Sequence, residues 1–363
     1  IHHYAKHMYD VAGIYTLGSQ PHSRIIVYTG RIDWSTPTEP VWIFPCTSSE
    51  FNFTGNILKI HVSNKNEYWQ NYLGCILDNV QSCFYIKKEG RTTIEIQVPE
   101  NDTGIHQVMF FKRQDSCHEI TIFGYEIEDG EKLLAPSEKP KRKIEVYGDS
   151  VSAGEVSEAV DFVGMEDPEH NGGYSNSYYS YGWILARKLG AQIHDIAQGG
   201  IALMDGEGWY HEPEQTGMET VWNKMHYNTK LSQMIQWDFD KYIPQVVIVA
   251  VGQNDCHPID YMKEGYCEPK ARKWREHYMR FLENIRKTYP DAYIICCTTL
   301  LNHDKAWDEA IAQVVGNMGD EKITQYRFKR NGTGTPGHLR IPEAYEMAEE
   351  LAEYIKRLEV FDK

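Results

Sequence analysis

The chain has 363 residues, of which 41% are hydrophobic and 25% are charged, a balance that is typical of globular proteins and excludes a disordered one. The formal net charge of −15 argues against binding to nucleic acid or to an anionic membrane surface, because both require positive charge. The length predicts about two domains, and no apolar run reaches the length of a membrane span.

The first third of the chain predicts β-strands. Short runs that alternate apolar and polar residues are separated by Gly, Asn, Asp, Ser or Pro, and no helical period interrupts them. This pattern is typical of a β-sandwich or jelly roll, which we place at residues 1–135. The predicted strands span residues 24–34, 41–45, 51–55, 56–64, 72–80, 83–88, 92–98, 106–113 and 119–129.

From residue 136 the pattern changes to strands that alternate with helices. The nearly continuous apolar run 245–252 is typical of a parallel strand that is buried on both faces. The alternation predicts an α/β domain at residues 136–363, with a doubly wound parallel sheet and a ligand site at the carboxyl ends of its strands. Strands are predicted at 143–148, 191–200, 245–252, 292–300 and 322–328, and helices at 177–190, 271–289, 307–315 and 341–359.

The eight cysteines show no zinc-site spacing, and the adjacent Cys296 and Cys297 lie in a predicted strand, where neighbours point to opposite faces. Free cysteines and the lack of an apolar secretory core near residue 1 favour a cytoplasmic location. If a signal peptide has been removed, the location is instead secreted. A weak metal site at His2, His3 and His7 is a minor alternative, and we expect neither a metal nor an organic cofactor.

Three polar clusters follow predicted strands or precede the last helix. Ser150 in YGDSVSAG stands at a strand-to-helix turn, which suits a nucleophile and an oxyanion donor, or a helix N-cap. Asn254 in VGQNDCHP can donate its amide N–H to an oxyanion, or form an Asx turn. His338 in NGTGTPGHLR can act as general base and acid, or be an ordinary loop histidine. We interpret Asp255 as a structural hydrogen-bond acceptor rather than a metal ligand.

The order of these clusters resembles that of the SGNH, or GDSL-type, hydrolase superfamily. Its four blocks match Ser150, Gly200 in AQGGIAL, Asn254 and His338, with Gly199 as the alternative to Gly200. In that superfamily the serine is the nucleophile and the histidine is the base. The serine N–H, the glycine N–H and the asparagine amide form the oxyanion hole. The resemblance implies the same roles at the matching positions of this chain.

A jelly roll followed by such a hydrolase domain is similar to carbohydrate esterase family 2. The similarity begins at about residue 11 and includes FTGN at 53–56, GIHQVMFFKR at 104–113 and RKIEVYGDSVSAGE at 142–155. Members of that family remove acetyl groups from plant polysaccharides and oligosaccharides such as xylan and glucomannan. The resemblance therefore implies a serine esterase whose partner is an acetylated mannan or xylan saccharide. It also implies that the jelly roll shapes the cleft, with independent sugar binding as the less favoured alternative.

The chain departs from the superfamily pattern at the acid of the triad. The aspartate that usually stands three residues before the histidine is replaced by Thr335. We therefore predict a dyad of Ser150 and His338, with a backbone carbonyl of residues 333–336 holding the imidazole. A distant acid is the alternative. Loss of the carboxylate would remove stabilisation of the imidazolium and leave more of the catalysis to the oxyanion hole.

A second departure concerns the sugar platform. The family's histidine often has an aromatic neighbour, whereas Gly337 precedes His338. The stacking surface is therefore expected elsewhere, first at Trp209 and Tyr210 and then at Trp307. Packing in an aromatic core would explain each of these residues equally well.

Two other classes of function compete with the esterase. A catalytically weak carbohydrate-binding protein would explain the missing aspartate, although Ser150, Asn254 and His338 are intact. A lipid or thioester hydrolase on the same fold would need an apolar acyl channel, whereas the loops at 165–179 and 205–217 are polar and aromatic.

Overall fold

The computed structural model describes residues 25–98 and 104–361, which form two compact units. The first unit extends to Lys139 and also contains two short later segments, Asn171–Gly173 and Asn228–Gln233. The second unit contains the rest of the described chain. The predicted domain boundary between residues 135 and 136 stays a prediction. His2, His3 and His7 lie outside the described residues.

The first unit is an antiparallel β-sandwich, which confirms the predicted fold class. Its strands within the described residues are β1 (Val27–Thr29), β2 (Ile32–Asp33), β3 (Val41–Trp42), β4 (Ser48–Phe53), β5 (Ile57–Asn66), β6 (Asn71–Leu77), β7 (Val80–Ile86), β8 (Arg91–Gln97), β9 (His106–Lys112), β10 (His118–Ile127) and β11 (Leu133–Leu134). One sheet has the order β1-β4-β9-β6-β7, with β11 beside β4, and the other has the order β2-β3-β10-β5-β8.

Alternating side chains of both sheets form the core of this unit. On β5, Leu58 and Ile60 are buried and lie opposite Ile96 and Ile94 of β8. The residues between them face outward, as the period of two in the sequence requires. Aromatic side chains fill the space between the sheets, where Phe51 packs edge-on against Tyr125 with ring centroids 4.8 Å apart.

The second unit alternates strands and helices around one parallel sheet. Its strands are β12 (Arg142–Gly148), β13 (Ala191–Ala197), β14 (Lys224–His226), β15 (Ile235–Gln236), β16 (Val246–Ala250), β17 (Tyr293–Cys296) and β18 (Ile323–Gln325). Its helices are α1 (Ser150–Ala153), α2 (Tyr181–Leu189), α3 (Met218–Val221), α4 (Tyr261–Glu264), α5 (Pro269–Thr288), α6 (Lys305–Met318) and α7 (Ile341–Arg357). The strands β14 and β15 form a separate antiparallel pair, and none of the described helices has the length and hydrophobicity needed to traverse a lipid bilayer.

The parallel sheet has the order β13-β12-β16-β17-β18, which is a doubly wound arrangement and confirms the prediction for this half. Every residue of β16 is buried, and this explains its uninterrupted apolar sequence. Because the chain leaves β12 toward β13 on one side and returns to β16 on the other, the strand order reverses between β12 and β16. Ligands bind in the crevice at the carboxyl ends of the strands at such a point.

Candidate active site

Ser150 is the first residue of α1 and follows β12 directly after Asp149. The Oδ1 atom of Asp149 accepts a hydrogen bond from the N–H of Val151 at 3.0 Å and so caps the helix. Gly148 leaves no room for a side chain, because a Cβ atom there would lie 2.0 Å from the Oγ atom of Ser152. This tight turn places Ser150 at the carboxyl end of β12, beside the point where the strand order reverses.

Asn254 follows β16, the strand next to β12, and its amide bonds to the chain neighbours of the other two predicted oxyanion donors. Its Nδ2 atom donates to the carbonyl of Ile201 at 3.1 Å and to Oδ2 of Asp149 at 3.3 Å. Ile201 directly follows Gly200, and Asp149 directly precedes Ser150. The structure therefore brings the predicted serine, glycine and asparagine positions together at one edge of the sheet.

The turn at Gly200 requires a glycine. Its φ angle of +70° lies in the left-handed region, and a Cβ atom would lie 2.8 Å from the Cβ atom of Trp209. The carbonyl of Gly200 accepts the N–H of Trp209 at 2.8 Å and the N–H of Tyr210 at 3.1 Å. Asp255 holds the next residues of the same loop, because its carboxylate accepts the N–H groups of Leu203 and Met204. This arrangement confirms the interpretation of Asp255 as a structural hydrogen-bond acceptor.

We expect the Asn254→Ala substitution to lower kcat for an aryl acetate by roughly 10²–10³, the loss that is typical when one oxyanion donor is removed. Circular dichroism should show an unchanged fold, because the side chain is only partly buried. Asn284→Ala, at an exposed position of α5, is the matched control and should leave kcat unchanged. A decrease of less than about threefold in the Asn254 variant would assign the amide to a purely structural role.

His338 reaches Ser150 from the loop that precedes α7. Its Nε2 atom lies 2.8 Å from the Oγ atom of Ser150, within the range of a hydrogen bond between a nucleophile and its base. The imidazole is partly exposed, with 21% of the side-chain surface accessible. The histidine that the sequence identified therefore stands where a general base must stand.

The carboxylate of Asp167 contacts the His338 ring, which contradicts the predicted carbonyl orienter and matches the distant acid that was its alternative. The Nδ1 atom of His338 lies 2.5 Å from Oδ2 of Asp167, and the backbone N–H of His338 donates to Oδ1 at 2.9 Å. The imidazole is thus held by a carboxylate rather than by a carbonyl of residues 333–336. Asp167 comes from the segment between α1 and α2, whose residues 165–179 are polar and aromatic in sequence.

The position three residues before the histidine is used for a different purpose. Thr335 is buried, and its backbone N–H and carbonyl bond to the carbonyl of Leu300 and the N–H of Asn302. These bonds tie the glycine-rich loop to the segment after β17. The backbone at position 335 is therefore held against that segment by two hydrogen bonds.

Gly337 makes room for the loop that carries Asp167. A Cβ atom at this position would lie 2.6 Å from Oδ1 of Asp167 and 2.6 Å from the carbonyl oxygen of Met165. A larger residue would push the two loops apart. Asp167 can therefore approach His338 only because position 337 has no side chain. Gly337 thus explains both departures from the family pattern: it provides no aromatic ring for stacking, and it leaves space for the Asp167 carboxylate.

Arg340 forms an ion pair with Asp167. Its guanidinium is fully buried, and Nη2 lies 2.9 Å from Oδ1 of Asp167. It also donates to the carbonyl of Ala159 at 3.2 Å and to the carbonyl of His338. Because a buried charge is strongly destabilising without a partner, Arg340 requires an anion at this place. Asp167 is that anion, and one of its oxygens remains for the imidazole.

The charges around His338 favour its protonated form. Burial lowers the pKa of His338. The charge of Glu155 and the hydrogen bond and charge of Asp167 outweigh this effect and raise the pKa to about 9. Burial raises the pKa of Asp167, whereas its hydrogen bonds to His338 and the charge of Arg340 lower it more strongly, well below the usual range. An aspartate that stays ionised stabilises the imidazolium that forms when the serine is deprotonated.

Gly337→Ala should decrease kcat by roughly 10–100-fold, because a displacement of Asp167 by even a fraction of an ångström misaligns the imidazole. Steady-state kinetics with an aryl acetate measure the effect. Gly316→Ala is the matched control, since Gly316 lies in α6 with open space around its Cβ position, and it should retain full activity. Equal activity of both variants would mean that the two loops tolerate the added methyl group without disturbing His338.

The three aromatic residues predicted as sugar platforms differ in exposure. Trp209 is 57% exposed, and its ring stacks on that of His257 with centroids 3.3 Å apart. Tyr210 is only 4% exposed, and Trp307 is fully buried with its Nε1 atom donating to Asp260. The predictions for Tyr210 and Trp307 are wrong, because neither ring offers a free face. Trp209 alone among the three can contact a ligand.

Sequence reasoning missed Asp167, Arg340 and Glu155. Asp167 and His338 are 171 positions apart, and nothing in the spacing pairs them. The available signals were indirect: the acidic run MEDPEH at 165–170, and a glycine at position 337 where the family often has an aromatic residue. Within the described part of the chain, no group of three or more His, Cys, Asp or Glu side chains has metal-binding geometry.

Comparisons with known proteins find similarity to carbohydrate esterases. Residues 28–136 match the family model "Carbohydrate esterase 2 N-terminal". The cellulase/esterase CelE of Acetivibrio thermocellus is 28% identical over 91% of this chain, which spans only 39% of that protein's length. The acetylxylan esterase / glucomannan deacetylase of Cellvibrio japonicus is 26% identical over 94% of this chain and 90% of its own.

A solved structure is similar to the chain over both units. The family two carbohydrate esterase from Clostridium thermocellum, in complex with cellohexaose, superposes with a TM-score of 0.77 at 27% identity. The match covers 92% of this chain and 98% of the esterase. The sandwich, the doubly wound sheet and the sequence similarity across their length make the chain similar to the family two carbohydrate esterases over both of its units.

Proposed function

We propose that this chain is a serine esterase that releases acetate from acetylated oligosaccharides derived from glucomannan, mannan or xylan. The observation that carries the proposal is the alignment of Ser150 Oγ, the His338 ring and the Asp167 carboxylate, with distances of 2.8 and 2.5 Å. Nucleophile, base and orienting acid are connected by two hydrogen bonds, as acyl transfer through a covalent intermediate requires.

In the acylation step, His338 Nε2 accepts the proton of Ser150 Oγ as the oxygen attacks the acetyl carbonyl. Asp167 keeps the imidazole in the tautomer with the proton on Nδ1 and stabilises the cation that forms. The protonated imidazole then donates its Nε2 proton to the sugar oxygen, which leaves as a free hydroxyl. Water attacks the acetyl-enzyme by the same route, with His338 again as base, and acetate is released.

The tetrahedral oxyanion is held by the N–H groups of Ser150 and Gly200 and by the amide of Asn254. Both N–H groups of that amide already have partners, at 3.1 Å to Ile201 and at 3.3 Å to Asp149. When the oxyanion forms, the Asn254 amide breaks its longer hydrogen bond, to Asp149, and donates that N–H to the oxyanion. Asp149 keeps its bonds to Gln253 and to the N–H of Val151, so the exchange leaves its carboxylate paired.

Three observations support a neutral acetylated sugar as the substrate. Related proteins are named for acetylxylan and glucomannan, and one related structure holds cellohexaose. The exposed ring of Trp209 adjoins Gly200 and gives a sugar ring a stacking surface beside the reacting carbonyl. The net charge of −15 repels acidic glycans and places no penalty on neutral ones.

The test is acetate release from acetylated glucomannan and xylan oligosaccharides, followed by NMR so that the deacetylated position is identified. Wild type should release acetate, and His338→Ala should not. Comparison of acetyl with octanoyl esters of one aryl alcohol should favour the acetyl ester. Folded protein that binds the oligosaccharides without releasing acetate would support the binding function instead, and preference for octanoyl would support a lipid or thioester hydrolase.

A further inference from the structure

A pocket in the sandwich unit is lined by none of the residues described above around Ser150. It has a volume of about 150 Å³ and is formed by the end of β5, the connection to β6 and the end of β7. Its lining consists of three aromatic side chains, four side-chain amides, one acid and one amine. This mixture of flat rings and hydrogen-bonding groups is typical of small-molecule sites and differs from the apolar core beneath it.

The amides of the pocket form a chain whose donors all point the same way. Asn71 Nδ2 donates to Asn64 Oδ1 at 2.7 Å, and Asn64 Nδ2 donates to Asn66 Oδ1 at 3.0 Å. Asn66 Nδ2 in turn donates to backbone carbonyls in the connection, that of Tyr68 at 3.2 Å among them. The direction of every bond leaves the first acceptor of the chain, Oδ1 of Asn71, available for another donor.

Asn71 is fully buried, and its Oδ1 atom has no hydrogen-bond partner among the described residues. A buried carbonyl oxygen without a donor is unfavourable, so native structures rarely leave one unpaired. Asn71 lines the pocket but its Oδ1 atom is buried, so a hydroxyl group bound there supplies the missing donor when the Asn71 side chain turns toward the ligand. The first polar requirement of the ligand is therefore an O–H or N–H group.

The aromatic side chains supply the apolar requirement. Tyr85 is 47% exposed although it lines the pocket, and the ring of Trp69 packs edge-on against that of Tyr68 with centroids 5.0 Å apart. Glu67 contributes a negative charge that Lys230 already pairs at 2.7 Å, and Lys88 contributes a positive charge, so the lining has no surplus of negative charge. A ligand that suits this lining is uncharged overall, has a flat apolar face and carries several hydroxyl groups.

We propose that this pocket binds one glycosyl residue of a neutral oligosaccharide, independently of the site at Ser150. A hydroxyl of the sugar donates to Asn71 Oδ1, and one face of the ring packs on Tyr85. The volume of about 150 Å³ accommodates a single six-membered ring, so the rest of the oligosaccharide extends into solvent. The proposal stands whether or not the site at Ser150 hydrolyses esters, because it depends only on the lining of this pocket.

The test is calorimetric titration of the full chain carrying Ser150→Ala with unacetylated cellohexaose, mannohexaose and xylohexaose. Tyr85→Ala, added to this background, should weaken binding of at least one of them by roughly tenfold, the loss expected for one aromatic contact. Trp69→Gly should do the same, and it suits the backbone because Trp69 has a φ of +48°. Tyr345→Ala, which removes an exposed ring on α7, is the matched control and should bind like the parent.

A second variant separates this pocket from the cleft at Ser150. Trp209→Ala should leave the component that depends on Tyr85 unchanged. With Ser150 intact, Tyr85→Ala should hydrolyse an aryl acetate at the wild-type rate. Unchanged binding of all three saccharides in both Tyr85→Ala and Trp69→Gly would overturn the proposal, as would Tyr85-dependent binding of uronic acid oligosaccharides alone. Because Tyr85 is exposed, its variant remains a valid test even if Trp69→Gly does not fold.

Discussion

Ser150→Ala should reduce acetate release by about 10⁵–10⁶ and leave the fold unchanged. The alanine side chain fits the site without strain, so the loss comes from the missing nucleophile alone. In a comparable catalytic serine site, removal of the nucleophile decreases kcat by about 10⁶. The residual rate would reflect the oxyanion donors and His338 acting on water.

The measurement is a pre-steady-state experiment with an aryl acetate in excess over enzyme, in which wild type should show a burst of one aryl alcohol per site. Mass spectrometry of the quenched enzyme should find one acetyl group on the peptide that contains Ser150. Ser35→Ala, at an exposed position of the sandwich unit, is the matched control and should behave as wild type. A burst of normal size in Ser150→Ala would assign the nucleophile to another residue.

Asp167→Asn should lower kcat by roughly 10²–10⁴ and decrease KM little. An amide at this position either loses the bond to His338 Nδ1 or forces the tautomer with its proton on Nε2, in which the imidazole no longer accepts the serine proton. The corresponding change in a serine protease triad decreases kcat by about 10⁴. The lower end of the range, a loss of about 10², is included because Asp167 and His338 are both partly exposed and solvent weakens their interaction.

Asp161→Asn is the matched control, since Asp161 lies six residues earlier in an exposed turn. Asp167→Glu should recover part of the lost activity, because it retains the charge that Arg340 and His338 both contact. The Asn variant should also unfold at a lower temperature than wild type, since buried Arg340 loses its anionic partner. Activity within threefold of wild type in Asp167→Asn would restore the interpretation as a dyad.

The parts of the site that sequence reasoning located follow from the sheet. Ser150 and Asn254 come two and four residues after the ends of neighbouring parallel strands, and parallel strands end at the same edge. The proximity of these residues therefore needed only the order of elements. His338 was found through its motif and its place before the last helix, which packs its buried face on the same unit.

The parts that it missed depend on long-range contacts between loops. Asp167 lies in a segment without hydrophobic periodicity, so its path could not be inferred from a strand or a helix. Its position is set by Arg340 and Gly337, whose effect on a residue 170 or more positions away is visible only in three dimensions. Trp307 fails for a different reason: its helix is amphipathic, and position 307 faces the core rather than the solvent.

The most direct test of the triad is an NMR titration of the His338 ring in wild type and in Asp167→Asn, with His338→Gln used to assign the signal. In wild type the ring should titrate near pH 9, because its pKa is raised by the charges of Glu155 and Asp167. Removal of the Asp167 charge destabilises the imidazolium, so the midpoint in the variant should fall by about one pH unit or more. The same midpoint in both proteins would contradict a carboxylate on Nδ1 and with it the assignment of Ser150, His338 and Asp167 as one catalytic unit.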